Sequence, residues 1–187
     1  LLITGASSGI GAATARHAVD AGWRVALAAR SEDKLAELAT DLGGDEFATA
    51  IRCDVTSWDD QQAAVSKATE HFGRLDAFLA NAGFGAARGF QEEDVEHWKA
   101  MIDTNVYGAA LSIRAALGPF RDQGHGHMLL MGSVAGRRAI PGSIEQQEFE
   151  YTRHGTVNIL TFLVVHTGQM EAVCLAANDA DHYIPAL

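Results

Sequence analysis

Residues 4–11 read TGASSGIG, between the apolar run LLI and a helical pattern that starts near Ile10. Gly5, Gly9 and Gly11 permit a tight turn and a close backbone approach. The free N–H groups around Ser7, Ser8, Gly9 and Ile10, at the start of a helix and its dipole, favour a phosphate. Taken alone, such a string also fits a plain strand-to-helix turn. Its place at the first strand–helix crossover is what gives it weight.

Outward from that turn, residues 1–133 alternate between short apolar runs and longer helical patterns, which predicts a parallel sheet covered by helices. The strand candidates are LLIT (1–4), RVALAA (24–29), FATAIR (47–52), DAFLA (76–80) and HMLLM (127–131). All are continuously apolar, as expected of strands buried on both faces. Ser31 is a candidate cap for the second helix, with Glu32 and Asp33 in its first turn, a stripe of Leu35, Leu38 and Leu42, and Gly43-Gly44 as its stop. Ser57 and Asp60 open the third, which Gly73 closes. A long fourth helix is expected from about Glu93 to Leu117, with Trp98, Ile102, Ala109 and Ile113 near one face. The class is α/β, a doubly wound, Rossmann-like parallel sheet.

After Ile144 the texture changes. TVNILTFLVV (156–165) and MEAVCLAA (170–177) read as a β-hairpin with Gly168 in its turn. A doubly wound domain would continue instead with a helix and another parallel strand. Two regions follow: 1–144, a nucleotide-binding domain, and 145–187, a hairpin segment that is not an independent domain. The parallel sheet is thus expected to be C-terminally truncated.

The residue ending the second strand tests the cofactor. A carboxylate there would hold the ribose 2′-hydroxyl of NAD, whereas an arginine accommodates the 2′-phosphate of NADP. The strand ends in Ala29 and Arg30, with no carboxylate before Glu32. NADP (NADPH) is expected in preference to NAD, the alternative being a solvated surface arginine.

Composition bounds the rest. At 187 residues, roughly 70% of the unfolded surface can be buried. No apolar run approaches the ~20 residues of a membrane span. The net charge of −10 argues against a general nucleic-acid surface. Cys53 and Cys174 form neither a disulfide framework nor a metal cluster, so a reducing cytoplasm is expected and no metal site. The first residues carry no Met, and a few residues are expected to precede Leu1.

Five motifs in order carry a resemblance. TGASSGIG is joined by CDVT (53–56), ANAG (80–83), TNVYG (104–108) and GSVAG (132–136). Over residues 1–144, about three quarters of its length, the chain resembles the short-chain dehydrogenase/reductase family. The resemblance implies an NADP-dependent oxidoreductase acting on a small-molecule carbonyl or secondary alcohol. It implies that Asp54 and Val55 contact the adenine, and that Asn81, Ala82 and Gly83 line the cofactor. Asn105 would anchor a water relay, and Ser133 would hold and polarise the substrate carbonyl. Asn105 shares a helical face with Trp98, Ile102 and Ala109, so its amide is expected to point toward packed surface and to need partners. The bland readings are a capped turn for Asp54 and Ser133 and a satisfied core amide for Asn105. Oligomeric state stays open.

That family also requires Tyr-x-x-x-Lys about a dozen residues beyond the serine, because residues four apart share one helical face. The free phenol titrates near ~10, and a neighbouring ammonium helps bring it toward neutrality. Twelve residues past Ser133 stands Glu145, followed by Gln146. Tyr151 has Gly155 four residues on, and Arg153 has Phe149 four residues back. No register restores the pair, so impaired turnover is expected. The alternative is a non-catalytic nucleotide-binding module or a non-functional fusion product.

Residues 145–187 resemble a fragment of DDE-type insertion-sequence transposases, through the Glu-Tyr-x-Arg-His-Gly-Thr run and the Thr-Gly hairpin. Asp179 and Asp181 match none of that family's metal-binding aspartates, and nuclease activity is not implied. The expectation is a segment replaced at the Ile144–Glu145 junction, by a mobile element or by a misassembled sequence.

Overall fold

The computed structural model describes residues 1–86 and 92–133 together with the backbone of two further strands, 158–164 and 169–175. The apolar runs become strands because each is sandwiched between helices. Leu2–Thr4 (β1), Val25–Ala29 (β2) and Ala77–Ala80 (β4) are buried at every position. Ala48–Arg52 (β3) and His127–Met131 (β5) complete the parallel set. The order is β3-β2-β1-β4-β5, all parallel. Thr4 pairs with Ala28 and Ala80 with Leu130, so the carboxyl ends of the strands align along one edge.

Two apolar layers cover the sheet. On one face Ile3, Leu27 and Leu79 pack with Ala15 and Ala18 of helix α1 (Gly9–Asp20) and with Leu35 and Leu38 of α2 (Glu32–Asp41). On the other, Leu2, Phe78 and Met128 meet Ala64, Val65 and Ala68 of α3 (Trp58–Phe72) and Ala116 and Phe120 of α5 (Ala109–Gln123). Arg114 lies 5.0 Å over the Trp58 ring and joins α5 to α3.

Several expectations are met and several corrected. Ser57 caps α3 by accepting from the Asp60 N–H at 3.2 Å, and Gly73 ends it in the left-handed conformation at φ +79°. Ser31 stands at the start of α2 without a side-chain capping bond, so the acidic first turn supplies what favourable dipole interaction there is. β3 is an edge strand, with Ala50 and Arg52 exposed rather than buried. The single long helix expected over 93–117 is three pieces: α4 (Val95–Ile102), a π-helical turn (Asp103–Gly108) and α5. The extra residue in that turn shifts the side-chain period. Ile102 is therefore left 47% exposed, and Asn105, also exposed, turns from the packed face toward the loop after β4.

Asn158–Val164 (β6) and Gln169–Leu175 (β7) form the expected antiparallel hairpin. It continues the sheet beyond β5, where β6 pairs antiparallel from His127↔Val164 to Met131↔Leu160 and covers an otherwise open edge. Gly168, Tyr151, Arg153, Glu145, Gln146, Asp179 and Asp181 lie outside the described residues.

Candidate functional site

The sheet order reverses between β1 and β4, and ligands of open parallel sheets bind in the crevice outside the carboxyl ends at such a point. The turn Gly5–Gly11 borders one side of that crevice and Asn81–Gly83 the other.

Thr4 ties the two together. Its buried hydroxyl accepts from the N–H of Asn81 at 3.1 Å and of Ala82 at 3.3 Å, and donates to the Leu79 carbonyl at 3.4 Å. Asn81 Nδ2 donates to the carbonyls of Thr4 at 3.0 Å and Gly5 at 3.4 Å. The fit admits no side chains. A Cβ on Gly5 (φ +66°) would lie 2.8 Å from the Ala82 Cα, and one on Gly11 would lie 2.4 Å from the Gly5 oxygen.

Gly9 is different. At φ +54° it has nothing within 4 Å of where a Cβ would stand, so its outer side is an open cradle at the start of α1. Ser8, extended at the N-cap, makes no capping bond with its side chain. Amides at a helix start with no side chain spent on them suit an anionic oxygen. Ile10 is partly buried against the core below. Ser7 is half-buried beside the exposed Ser8.

Arg30 is exposed just past β2. Asp54 follows β3 and accepts from the Thr56 N–H at 3.0 Å and hydroxyl at 2.8 Å. Partial burial opposes its ionisation, but those two bonds and the charges of Arg30 and Arg52 outweigh it and hold the carboxyl below its usual range. Val55 is buried, and a Cβ on Gly108 would meet its Cγ2 at 2.9 Å. The CDVT segment and the end of the π turn are therefore in direct contact.

Asn105 stands in the π turn and faces the ANAG segment. Its Oδ1 accepts from the Phe84 N–H at 3.0 Å, and its Nδ2 donates to the Phe84 carbonyl at 2.7 Å. A Cβ on Gly83 would lie 3.1 Å from that Oδ1. Ser133 is exposed two residues beyond β5. Because Ala80 pairs with Leu130, Gly83 and Ser133 each stand three residues beyond a paired position, on the same edge.

The structure thus gathers Gly5, Gly11, Asn81 and Ala82 into one knot, and brings Gly83 to Asn105 and Val55 to Gly108. Thr4 and Phe84 are participants not among the expected site residues. Thr4 carried a readable signal, since a hydroxyl ending a fully apolar strand must find partners.

Four similarities bear on these residues. Residues 1–145 match the short chain dehydrogenase family. An uncharacterized oxidoreductase of Staphylococcus haemolyticus is 41% identical over 72% of this chain and 58% of its own length. Among solved structures, an alcohol dehydrogenase from Thermococcus sibiricus complexed with 5-hydroxy-NADP superposes with a TM-score of 0.67 at 33% identity, over 76% of this chain and 61% of that one. A 3-ketoacyl-(acyl-carrier-protein) reductase from Brucella melitensis complexed with NADH gives 0.62 at 31% identity, over 66% and 50%. The chain spans less than two thirds of each. The motif order, the sheet order and these matches agree, and the chain belongs to the short chain dehydrogenase family.

Proposed function

We propose that the chain binds NADP(H) and descends from oxidoreductases that interconvert a carbonyl and a secondary alcohol, with turnover impaired. The observation that carries this reading is the open cradle at Gly9 and Ser8, held rigid by the Thr4–Asn81 knot. Gly5, Ser7, Ser8, Gly9, Ile10 and Gly11 would hold the pyrophosphate, and Arg30 the 2′-phosphate. Asp54 and Val55 would meet the adenine, with Asn81, Ala82 and Gly83 along the ribose and nicotinamide. The nicotinamide would supply or accept the hydride. Ser133 would donate its hydroxyl proton as a hydrogen bond to the substrate oxygen, and Asn105 would hold the loop at Phe84 in place beside it.

What limits turnover is the proton. Residues 134–187 contain no lysine, so no Tyr-x-x-x-Lys can be written among them. Without that pair the rate is expected to fall at least ~10²–10⁴-fold below that of an intact relative. This favours a second reading, a nucleotide-binding module without catalysis.

A fluorescence titration with NADPH, with NADH alongside, tests the proposal. Saturable binding that prefers NADPH supports it, and carbonyl reduction would separate the enzyme from the module. Binding of neither nucleotide would sink both. For residues 145–187 a foreign origin stays a proposal. The family match ends at residue 145, and none of the relatives named above is a transposase. Genomic DNA read across codons 144 and 145 decides it, a single uninterrupted dehydrogenase frame excluding a fusion.

A further inference from the structure

Gln61, in the first turn of α3, is 0% exposed, an unusual place for an amide on a helix whose Gln62 neighbour is solvated. Its Nε2 lies 3.1 Å from the Val55 carbonyl, 3.2 Å from the Gly108 carbonyl and 2.9 Å from the Ser112 hydroxyl. Ser112 donates in turn to the Gly108 carbonyl at 3.0 Å. The orientation is dictated by the neighbours, since turning the amide over would aim its oxygen at two carbonyl oxygens. The Gln61 Oε1 is buried with no hydrogen-bond partner among the described residues.

An amide that leaves one end unpaired is a costly way to fill space. Its NH₂ does what no apolar side chain could. It ties a carbonyl of the Asp54–Val55 segment to the carbonyl that ends the π turn, where Gly108 already presses on Val55.

We propose that Gln61 is a positioning residue that locks the Asp54–Val55 segment and the Asn105-bearing π turn into one unit. The lock belongs to the free protein. Its consequence for ligand, that the adenine end and the reacting end of the site share one geometry, rests on the cofactor reading above.

Hydrogen exchange of the full chain without ligand tests the lock directly. Gln61→Met keeps the volume and removes both donors. Exchange at amides 55–57 and 105–111 is expected to rise together, about tenfold. Val65→Ala, a core truncation one turn further along the same helix, provides the control for a general loss of stability. Exchange rising in only one segment, in neither, or equally in the Val65→Ala protein would overturn the lock. Should Gln61→Met fail to fold, Ser112→Ala removes one arm and is expected to show the same paired rise at smaller amplitude, its absence counting against the lock. NADPH and 2′,5′-ADP titrations of the same proteins address the consequence. About tenfold weaker binding of both by Gln61→Met supports it, and unchanged binding in a loosened protein refutes it. A wild-type chain that binds neither would instead remove the cofactor reading, with the exchange data still deciding the lock.

Discussion

Asn105 clasps the peptide of Phe84 with both ends of its amide, accepting from the N–H at 3.0 Å and donating to the carbonyl at 2.7 Å. Asn105 lies in the π turn, and Phe84 follows the ANAG segment at the end of β4. The clasp therefore fixes the loop after β4 to the π turn. Phe84 in turn meets the His97 ring edge-on at 5.2 Å, so α4 is drawn into the same arrangement.

Asn105→Asp keeps the shape of the clasp and changes its chemistry. A carboxylate still accepts from the Phe84 N–H but presents an anion to the Phe84 carbonyl, whereas the protonated acid can donate there. The variant is expected to be less stable than wild type by about 1–2 kcal/mol at pH 7. The folded state should favour the protonated acid, raising its pKa, so the deficit shrinks as pH falls toward ~4. Urea denaturation at pH 7 and pH 4 measures it, and a deficit independent of pH would show that the donor does not matter.

The glycines of the first turn are not equivalent. A Cβ at Gly11 collides with the Gly5 oxygen and, at 2.7 Å, with Asn81 Nδ2. Gly11→Ala must pry the turn from β4, at a cost of about 3 kcal/mol or more. Gly9→Ala meets open space and only the left-handed backbone, costing about 1 kcal/mol. Yet it fills the cradle. Thermal denaturation should rank Gly11→Ala as the more damaging, while NADPH titration should show binding lost in both.

Cys53 stands just after β3, buried, with its thiol pushed up to about 12, first by burial and then by the charges of Asp60 and Asp54. In the unfolded chain it ionises near ~8.5. A raised folded pKa gives stability that is whole below the unfolded value and lost as pH climbs toward the folded one. The wild type should therefore lose about 1.4 kcal/mol per pH unit between roughly pH 9 and 12, relative to Cys53→Val. Paired denaturation curves at pH 8, 9.5 and 10.5 read the difference, and parallel curves would show that the thiol is not confined.

On the acid side the sign reverses. The Asp54 carboxyl is held below its usual range by Thr56 and the arginines, so its contribution is present above the ordinary carboxylate pKa near ~3.9 and lost as pH falls through the depressed folded value. Thr56→Val removes the hydroxyl donor and leaves the backbone one. The Asp54 resonance, followed by NMR titration, should move its midpoint upward in that variant.

The sheet was legible because burial on both faces leaves no room for polar residues in β1, β2 and β4, and the turn because only glycine survives at Gly5 and Gly11. The edge position of β3 was not, since Ala50 is apolar whether or not it is covered. Nor was the π turn, whose extra residue is a matter of backbone bonding and leaves TNVYG looking like ordinary helix. Asn105 was placed on the packed face for that reason. Gln61 reads as one of two surface glutamines, because its partners are backbone carbonyls brought together by the fold, from positions 6 and 47 residues away.

On the reading proposed above Arg30 would select NADP, and its surroundings make the test clean. It is exposed, forms no part of the Thr4–Asn81 knot, and its charge reaches Asp54 across the ends of β2 and β3. Replacing it removes a cation beside the site without disturbing the turn that would grip the pyrophosphate. Arg30→Ala is expected to weaken NADPH about tenfold or more and leave NADH nearly unchanged, because only the 2′-phosphate would lose its partner. Arg30→Asp goes further. A carboxylate there repels the 2′-phosphate and can accept from a free 2′-hydroxyl, so the preference should pass to NADH. Titrating the three proteins with both nucleotides separates the possibilities. Equal loss of NADPH and NADH would mean that Arg30 supports the fold at the end of β2 and does not read the phosphate.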